Sequence, residues 1–298
     1  MLNPKIKLIT DSCSDIPIEL ANELDILMLC FPVTVDGESF REVQDISKEE
    51  FYEKLESARD FPTTAGLTPF ELHETFASLY AEDYTDVVYV TIGSGGSATY
   101  KNALLAKQQF EDEDMSADRP MHIHIVDGRN YTATYGYGVT EAARMLKRGA
   151  NVTKILDYLE DWNASAGLYF VPMSLKILKK SGRVSAAAAF AGGVLGLRPL
   201  CEIIDCKSAV TEKIRGESSI IPRLAELAKS RMIPKTPYVV MRGSDPSYAE
   251  AMTAYMTKLV GYPPAAEWSI GATIACNAGA SVVGIIIKQQ NRGALPVD

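Results

Sequence analysis

Apolar positions in the first half of the chain form short continuous runs, separated by segments in which apolar residues recur at helical spacing. Such runs predict strands, and a repeat every three or four positions predicts amphipathic helices. The predicted strands cover residues 5–10, 26–35, 87–92 and 122–126, and the predicted helices begin near residues 16, 51, 68, 98 and 138. Apolar strands that alternate with helices indicate a parallel sheet covered on both faces.

Two helix starts carry a specific sequence signal. Ser47 precedes Glu50 by three positions, and Thr68 stands in the same relation to Glu71, with Pro69 between them. A serine or threonine followed by glutamate at this spacing forms a capping box, in which each side chain accepts from the other residue's backbone N–H. Helices are therefore predicted over residues 51–58 and from Thr68 to about residue 80.

The pattern changes after a helix predicted over residues 152–162. Strands predicted over residues 200–204 and 209–214 follow one another without a helix, which favours a mixed sheet. The other predicted elements are strands 168–173, 238–241, 270–276 and 283–288 and helices 186–195, 218–231 and 248–260. We therefore predict two α/β domains, residues 1–165 with a mostly parallel sheet and residues 166–298 with a mixed sheet.

Composition and charge restrict the class of protein. Hydrophobic residues make up 47% of the 298 positions and charged residues 23%, as in globular proteins. A net charge of −8 without a basic stripe disfavours nucleic acid as a partner. The longest apolar runs fall short of the roughly 20 residues that span a bilayer, and the N-terminus lacks a signal-peptide pattern. A cytoplasmic protein without stable membrane insertion is expected.

Cysteine and histidine give no sign of a metal centre. The five cysteines contain no Cys-x-x-Cys pair, so neither a zinc site nor a disulfide framework is predicted. Of the three histidines, His122 and His124 share one face of a strand, but no third ligand is apparent. We predict no metal and no cofactor.

The segment Gly-Ser-Gly-Gly-Ser at residues 93–97, called here the glycine-serine turn, lies between a predicted strand and a predicted helix. Free backbone N–H groups and the helix dipole favour an anion at such a helix start. Three glycines allow close approach of a ligand, and Ser94 and Ser97 add hydroxyl donors. The alternative is a plain tight turn in which Ser97 caps the following helix.

The same segment, written Gly93-x-Gly95-x-x-Ala98, also fits the dinucleotide-binding fingerprint. In that fingerprint an acidic residue follows about 20 positions later, whereas the nearest match, Asp127, lies 34 positions beyond Gly93. A nucleotide- or dinucleotide-binding enzyme therefore stays as the alternative class. No P-loop sequence occurs, and the Gly-x-Ser-x-Gly elbow of serine hydrolases is absent because Ile92 occupies its first glycine position.

Two further groups are candidates for ligand contact. Thr63 and Thr64 precede the helix capped by Thr68, where their hydroxyls could bind a carboxylate or act as caps. Arg183 follows a lysine-rich segment and could contact a phosphate or a partner protein, although such cations also stabilise a helix C-terminus. The small residues over positions 186–195 permit either close helix packing or a smooth apolar tunnel.

Taken in order, these segments resemble the DegV family over nearly the whole chain. The matching segments lie at residues 9–12, 15–17, 36–38, 46–47, 51–52, 63–69, 92–97, 99–100, 126–127, 175–185, 198–200 and 213–216. The resemblance implies a Rossmann-like, three-layer α/β/α first domain and a second α/β domain, with a long-chain fatty acid in an apolar tunnel. It also implies no catalytic residue in this chain, which would present the fatty acid to a separate ATP-dependent fatty acid kinase.

The resemblance places the fatty acid carboxylate on Thr64, Ser94 and Ser97, and we extend the predicted site to Thr63, Gly95 and Asn277. Arg183 is implied as the contact to the kinase or to phosphate.

Three positions depart from the family pattern. Residues 64–68 read Thr-Ala-Gly-Leu-Thr instead of Thr-Ser-Gln-Pro-Ser, Gly93 replaces the first of two serines, and Asn277 stands where a histidine is frequent. Asparagine donates hydrogen bonds but cannot shuttle a proton. Transient membrane contact is compatible with such a carrier.

Overall fold

The computed structural model describes residues 4–113, 119–175, 177–182 and 196–289. Its strands are β1 Ile6–Asp11, β2 Ile26–Leu29, β3 Pro32–Val35, β4 Glu38–Arg41, β5 Thr63–Thr64, β6 Asp86–Thr91, β7 His122–Asp127, β8 Ala166–Pro172, β9 Leu197–Ile204, β10 Lys207–Arg215, β11 Tyr238–Arg242, β12 Ala266–Ser269 and β13 Val282–Lys288. Its α-helices are α1 Ile18–Glu23, α2 Lys48–Ser57, α3 Pro69–Ala81, α4 Thr99–Asp112, α5 Ala133–Lys147, α6 Val152–Ser165, α7 Leu178–Ser181, α8 Ile220–Arg231, α9 Pro246–Val260 and α10 Ala272–Ala278.

The first sheet is parallel and has the order β2-β1-β6-β7. Every residue of β6 is buried, which accounts for its continuous apolar sequence. Because the chain passes from β1 to β2 on one side and later to β6 on the other, the strand order reverses between β1 and β6. Ligands of open α/β sheets bind beside the carboxyl ends of strands at such a reversal. A ligand site is therefore expected at the loops that follow β1 and β6.

The second sheet has the order β10-β9-β8-β13-β11-β12 and is mixed, since only the β11–β12 pair is parallel. Alternate residues of its strands belong to two different hydrophobic clusters, as the two-residue period of a strand requires. Tyr169, Val171 and Ile285 face α8 and α9. Leu168, Phe170 and Met241 join the cluster that contains the first half of the chain. The prediction of α/β architecture with one parallel and one mixed sheet is confirmed.

A third, small sheet has the order β4-β3-β5 and corrects one prediction. The apolar run 26–35 was expected as one strand, but it divides between two sheets. Its first part pairs with β1, and its second part begins at Pro32 and forms an antiparallel hairpin with β4. Asp36 and Gly37 connect this hairpin with φ angles of 49° and 82°, the left-handed conformation that a tight two-residue turn needs.

The segment 270–276 was predicted as a strand, and this prediction was wrong. Residues from Ala272 onward form α10, and the strand in this region is β12, which ends at Ser269. The backbone N–H of Gly271 donates to Asp15 Oδ1 at 2.7 Å, and that of Thr273 donates to Glu42 Oε1 at 3.2 Å. These carboxylates satisfy N–H groups at the helix start, and they lie more than 200 residues away, so local sequence does not reveal them.

Both predicted capping boxes are present, at the starts of α2 and α3. In the second, the Thr68 hydroxyl accepts from the Glu71 N–H at 3.2 Å, and Glu71 Oε2 accepts from the Thr68 N–H at 2.9 Å. Thr68→Ala should lower the free energy of unfolding by about 1 kcal/mol, the usual effect of losing such a cap. Chemical denaturation measures the change, and Thr68→Ser is the matched control. Equal destabilisation by both substitutions would contradict a role for the hydroxyl.

The two larger sheets draw on separate parts of the chain, residues 6–127 and residues 166–288. Helix α10 departs from this division, because it comes late in sequence but packs against α2, β3 and β5. Within the described ranges, no helix combines the length and apolar character needed to cross a bilayer. The helix predicted over residues 186–195 lies outside the described residues.

Candidate functional site

A cavity of about 230 Å³ lies between the second sheet and the loops that follow the strands of the parallel sheet. It begins beside the turn that follows β6, at the strand-order reversal described above. Its walls come from the first half of the chain, from the second sheet and from α10. The lining residues are Phe31, Thr64, Ala65, Gly66, Ile92, Gly96, Ser97, Ala98, Tyr131, Thr132, Leu168, Phe170, Ile203, Met241, Ile270, Thr273, Ile274, Asn277, Ala278 and Val282.

The floor of the cavity is apolar because one face of the second sheet supplies it. Five lining side chains come from β8, β9, β11 and β13, and all are buried apolar residues. They are Leu168, Phe170, Ile203, Met241 and Val282. A floor of this kind favours an aliphatic or aromatic ligand segment, since each Å² of apolar surface removed from water contributes about 25 cal/mol of favourable free energy.

Three polar side chains from different parts of the chain meet at the same cavity: Thr64, Ser97 and Asn277. Ser97 Oγ lies 2.9 Å from Thr99 Oγ1 and accepts from the Thr99 N–H at 3.2 Å. If Thr99 donates both of these bonds, the Ser97 proton is available to a ligand. The Asn277 amide donates one bond to the Thr273 carbonyl at 2.9 Å, which leaves its second N–H. All three groups therefore offer hydrogen-bond donors to a ligand in this cavity.

The start of α4 adds a fixed partial positive charge to this donor group. Ser97 and Ala98 line the cavity directly before Thr99, the first residue of α4. A helix N-terminus carries roughly half a unit of positive charge and free N–H groups. An anion next to Ser97 would be stabilised without a buried cationic side chain.

The structure divides the predicted contact set. Thr64, Ser97 and Asn277 line the cavity, whereas Thr63, Ser94 and Gly95 do not. Thr63 is exposed and pairs with Thr34 in the small sheet. Ser94 is exposed, and its N–H donates to Asp127 Oδ1 at 2.9 Å. A separate depression of about 250 Å³ is lined by Ser94, Gly95, Asp127, Arg129, Asp205 and Cys206.

The glycines of the glycine-serine turn make room for the protein itself more than for a ligand. A Cβ on Gly93 would lie 2.2 Å from Cys206 Sγ, and one on Gly95 would lie 2.8 Å from Cys206 Cβ. A Cβ on Gly96 would lie 2.3 Å from the ring of Tyr131. The β9–β10 turn that carries Cys206 therefore packs into the glycine-serine turn. Of the three glycines, only Gly96 lines the cavity.

The same geometry argues against the dinucleotide alternative. Asp127 was the candidate partner for a ribose, but its Oδ1 accepts from the Ser94 N–H and, at 2.8 Å, from the Arg129 N–H. These bonds tie the carboxylate to backbone at the turn where a pyrophosphate would need free N–H groups. The glycines at positions 93 and 95, which produce the fingerprint spacing, are explained by their packing against Cys206 and do not require a nucleotide.

Behind the cavity wall lie buried carboxyl groups that sequence inspection did not identify as part of the site. Thr132 lines the cavity and donates to Asp15 Oδ2, and Thr273 lines it and donates to Glu42 Oε2 at 2.7 Å. Burial raises the pKa of Asp15 to about 7, with Lys48 opposing this rise and Glu42 adding to it. These threonines have no distinctive sequence neighbourhood, so only the fold reveals their position.

A second buried carboxyl group supports the turn after β6. Asp11 accepts from the Tyr135 hydroxyl at 2.6 Å and from the Ile92 N–H at 2.8 Å. Burial raises the pKa of Asp11 to about 7, against the lowering effect of these hydrogen bonds. Asp11 thereby connects the end of β1 to the strand end from which the glycine-serine turn begins.

Two other predictions concern the contact to a partner and metal ligands. Arg183 lies outside the described residues. Lys180 is exposed and stands 6.0 Å from the centre of the Phe61 ring. In the described part of the chain, no three His, Cys, Asp or Glu side chains are grouped as metal ligands. His124 instead lies 3.4 Å from Asp86.

A largely apolar cavity beside the second sheet, with hydroxyl and amide donors on its wall, defines a binding site for an apolar ligand with a polar end. The chain belongs to the DegV family, since the family model described as "Uncharacterised protein, DegV family" matches residues 5–290. A DegV domain-containing protein of Caldanaerobacter subterraneus is 30% identical over 226 residues, which cover 76% of this chain and 77% of the relative.

Two solved structures share the fold at similar sequence distance. A fatty acid binding DegV family protein from Streptococcus agalactiae is 26% identical, with a TM-score of 0.84 over 97% of this chain and 100% of the other. A DegV family protein from Thermus thermophilus, described by its fatty acid binding, is 25% identical, with a TM-score of 0.81 over 96% of this chain and 99% of the other.

Proposed function

We propose that this protein binds one long-chain fatty acid in the cavity beside its second sheet, with the carboxylate hydrogen-bonded by Thr64, Ser97 and Asn277. The observation that carries the proposal is the meeting of these donors and the α4 N-terminus with an apolar floor in one cavity. Fatty acid binding by the relatives from Streptococcus agalactiae and Thermus thermophilus supports the ligand class.

The energetics of the cavity are consistent with this ligand. Each buried methylene group of an acyl chain contributes about 0.8 kcal/mol, so the apolar floor supplies most of the binding free energy. A buried carboxylate is costly unless it is hydrogen-bonded, and two hydroxyls, an amide and a helix N-terminus provide such bonds. The ligand would lie with its carboxylate beside Ser97 and its chain on the face of the second sheet.

The protein acts, on this proposal, as a carrier and has no catalytic step of its own. It would present the carboxylate to a separate ATP-dependent kinase that forms the acyl phosphate, with Arg183 as a contact to that partner. The family resemblance supports this role, and a cytoplasmic location with transient membrane contact is consistent with it. Incubating the loaded protein with ATP and a purified fatty acid kinase subunit should yield acyl phosphate, and unchanged fatty acid would contradict the presenting role.

Denaturing extraction of the purified protein, followed by mass spectrometry, tests the ligand class directly. We expect a long-chain fatty acid at close to one equivalent per chain. An unrelated protein purified in parallel from the same host is the control for contaminating lipid. Recovery of an adenine or nicotinamide nucleotide without fatty acid would overturn the proposal in favour of the nucleotide-binding alternative.

A further inference from the structure

Three neighbouring strands place Met241, Gly284 and Phe170 side by side on the cavity face of the second sheet. Gly284 of β13 pairs with Met241 of β11 on one side and with Phe170 of β8 on the other. Met241 and Phe170 line the cavity and are 3% exposed, so both are confined by their surroundings. Gly284 is thus a gap without a side chain between two large residues of the cavity floor.

The gap is occupied by the end of the Met241 side chain. A Cβ built on Gly284 would lie 2.6 Å from Met241 Cε, far inside the contact distance of two carbon atoms. It would also lie 3.1 Å from Phe170 Cβ. The methionine methyl group therefore rests over Gly284, and this position requires glycine there. Gly284 lies within an extended strand and does not have a positive φ, so the substitution acts through these contacts and not through backbone strain.

The sulfur of Met241 has a contact of its own. Thr132 Oγ1 lies 3.3 Å from Met241 Sδ, and Thr132 is itself fixed by its bond to Asp15. The terminal methyl group is therefore the part of the side chain that can move when the space above Gly284 is filled. Since Gly284 is flanked by β8 and β11, the open direction for that movement is the cavity.

We propose that the Met241–Gly284 pair sets the length of the acyl chain that the cavity accepts. This inference rests on the proposed fatty acid binding. With glycine at position 284, the terminal methyl group of Met241 lies against the sheet, and the adjacent part of the cavity stays open for the ligand. Any side chain at that position would raise the methionine end into the cavity and shorten the longest chain that fits. Removal of the methionine side chain would have the opposite effect.

The test is a series of binding titrations with delipidated protein and saturated fatty acids from laurate to arachidate. Gly284→Ala should weaken stearate binding about tenfold and leave laurate within about twofold, because each excluded methylene is worth about fourfold in affinity. Met241→Ala should move the preferred length upward by about three methylene groups, since three side-chain heavy atoms are deleted. The double substitution should restore stearate binding, since the displaced group is then absent.

Several results would overturn the inference. One is a folded Met241→Ala protein whose affinity depends on acyl chain length as in the wild type. This variant keeps the inference testable even if Gly284→Ala does not fold. Another is a Gly284→Ala defect that is equal for all lengths and is not reversed by Met241→Ala. Thermal unfolding identifies variants that are not folded. Wild-type protein that binds no fatty acid of any length would overturn the proposed function itself, a result distinct from a changed length profile.

Discussion

Replacing both Thr64 and Ser97 by alanine is expected to weaken fatty-acid binding about 100-fold. Both residues line the cavity; Thr64 belongs to β5, and Ser97 lies two residues before the start of α4. A hydrogen bond to a charged group contributes about 1.5–3 kcal/mol, so each single substitution should cost about tenfold or more in affinity. Neither residue is buried in the core, so the free energy of unfolding should change by less than about 1 kcal/mol.

Ser94→Ala is the matched control for this prediction. Ser94 belongs to the same glycine-serine turn, but its side chain is exposed and it lines the separate depression with Asp127. Isothermal titration with palmitate or stearate should show an affinity within about twofold of the wild type. If Ser94→Ala weakens binding as much as the double substitution does, the carboxylate lies in the other depression. If the double variant binds normally, these hydroxyls are not part of the site.

The second large effect concerns pH. The free energy of unfolding should fall by several kcal/mol as pH rises from about 4 to about 7. Asp11 and Asp15 have folded-state pKa values raised from 3.8 to about 7. In this window the folded protein holds protons that the unfolded chain has released, so raising the pH favours unfolding. Below about pH 4 both states are protonated, and above about pH 7 both are ionised, so these two groups add no further slope.

Asp15→Asn separates this effect from other sources of pH dependence. The amide has a similar shape, keeps one oxygen acceptor and does not titrate in this range, so about half of the slope should disappear. Asp36→Asn is the control, because backbone N–H groups lower the pKa of the exposed Asp36 and it therefore contributes only at more acidic pH. Urea denaturation at a series of pH values measures the slope. Wild-type stability that is flat or rising between pH 5 and 7 would contradict a raised pKa at these carboxyl groups.

Much of the fold could be predicted because its signals are local. The capping boxes at Ser47 and Thr68 each lie within four residues. Helix α3 begins directly after Thr68, and α2 begins directly after Ser47, three residues before the predicted start at residue 51. The fully buried β6 appears in sequence as an apolar run, and the adjoining β9 and β10 appear as strands without a helix between them. In each case the interactions that fix the element lie within or directly beside it.

The parts that could not be predicted depend on contacts distant in sequence. Helix α10 looked like a strand because the carboxyl groups that satisfy its first N–H groups belong to Asp15 and Glu42. The glycines at 93 and 95 suggested a ligand, but the neighbour that requires them is Cys206. Ser94 and Ser97 were equivalent candidates in sequence. The course of the turn separates them, since Ser97 lines the apolar cavity and Ser94 lines the separate depression.

A crystal structure of the protein with bound stearate tests the central claim most directly. We predict that the carboxylate oxygens lie within hydrogen-bonding distance of the Thr64 and Ser97 hydroxyls. The acyl chain should lie on the floor formed by Leu168, Phe170 and Met241. A carboxylate in the depression beside Ser94 and Asp127, or an acyl chain outside the cavity that Thr64 and Ser97 line, would contradict the account.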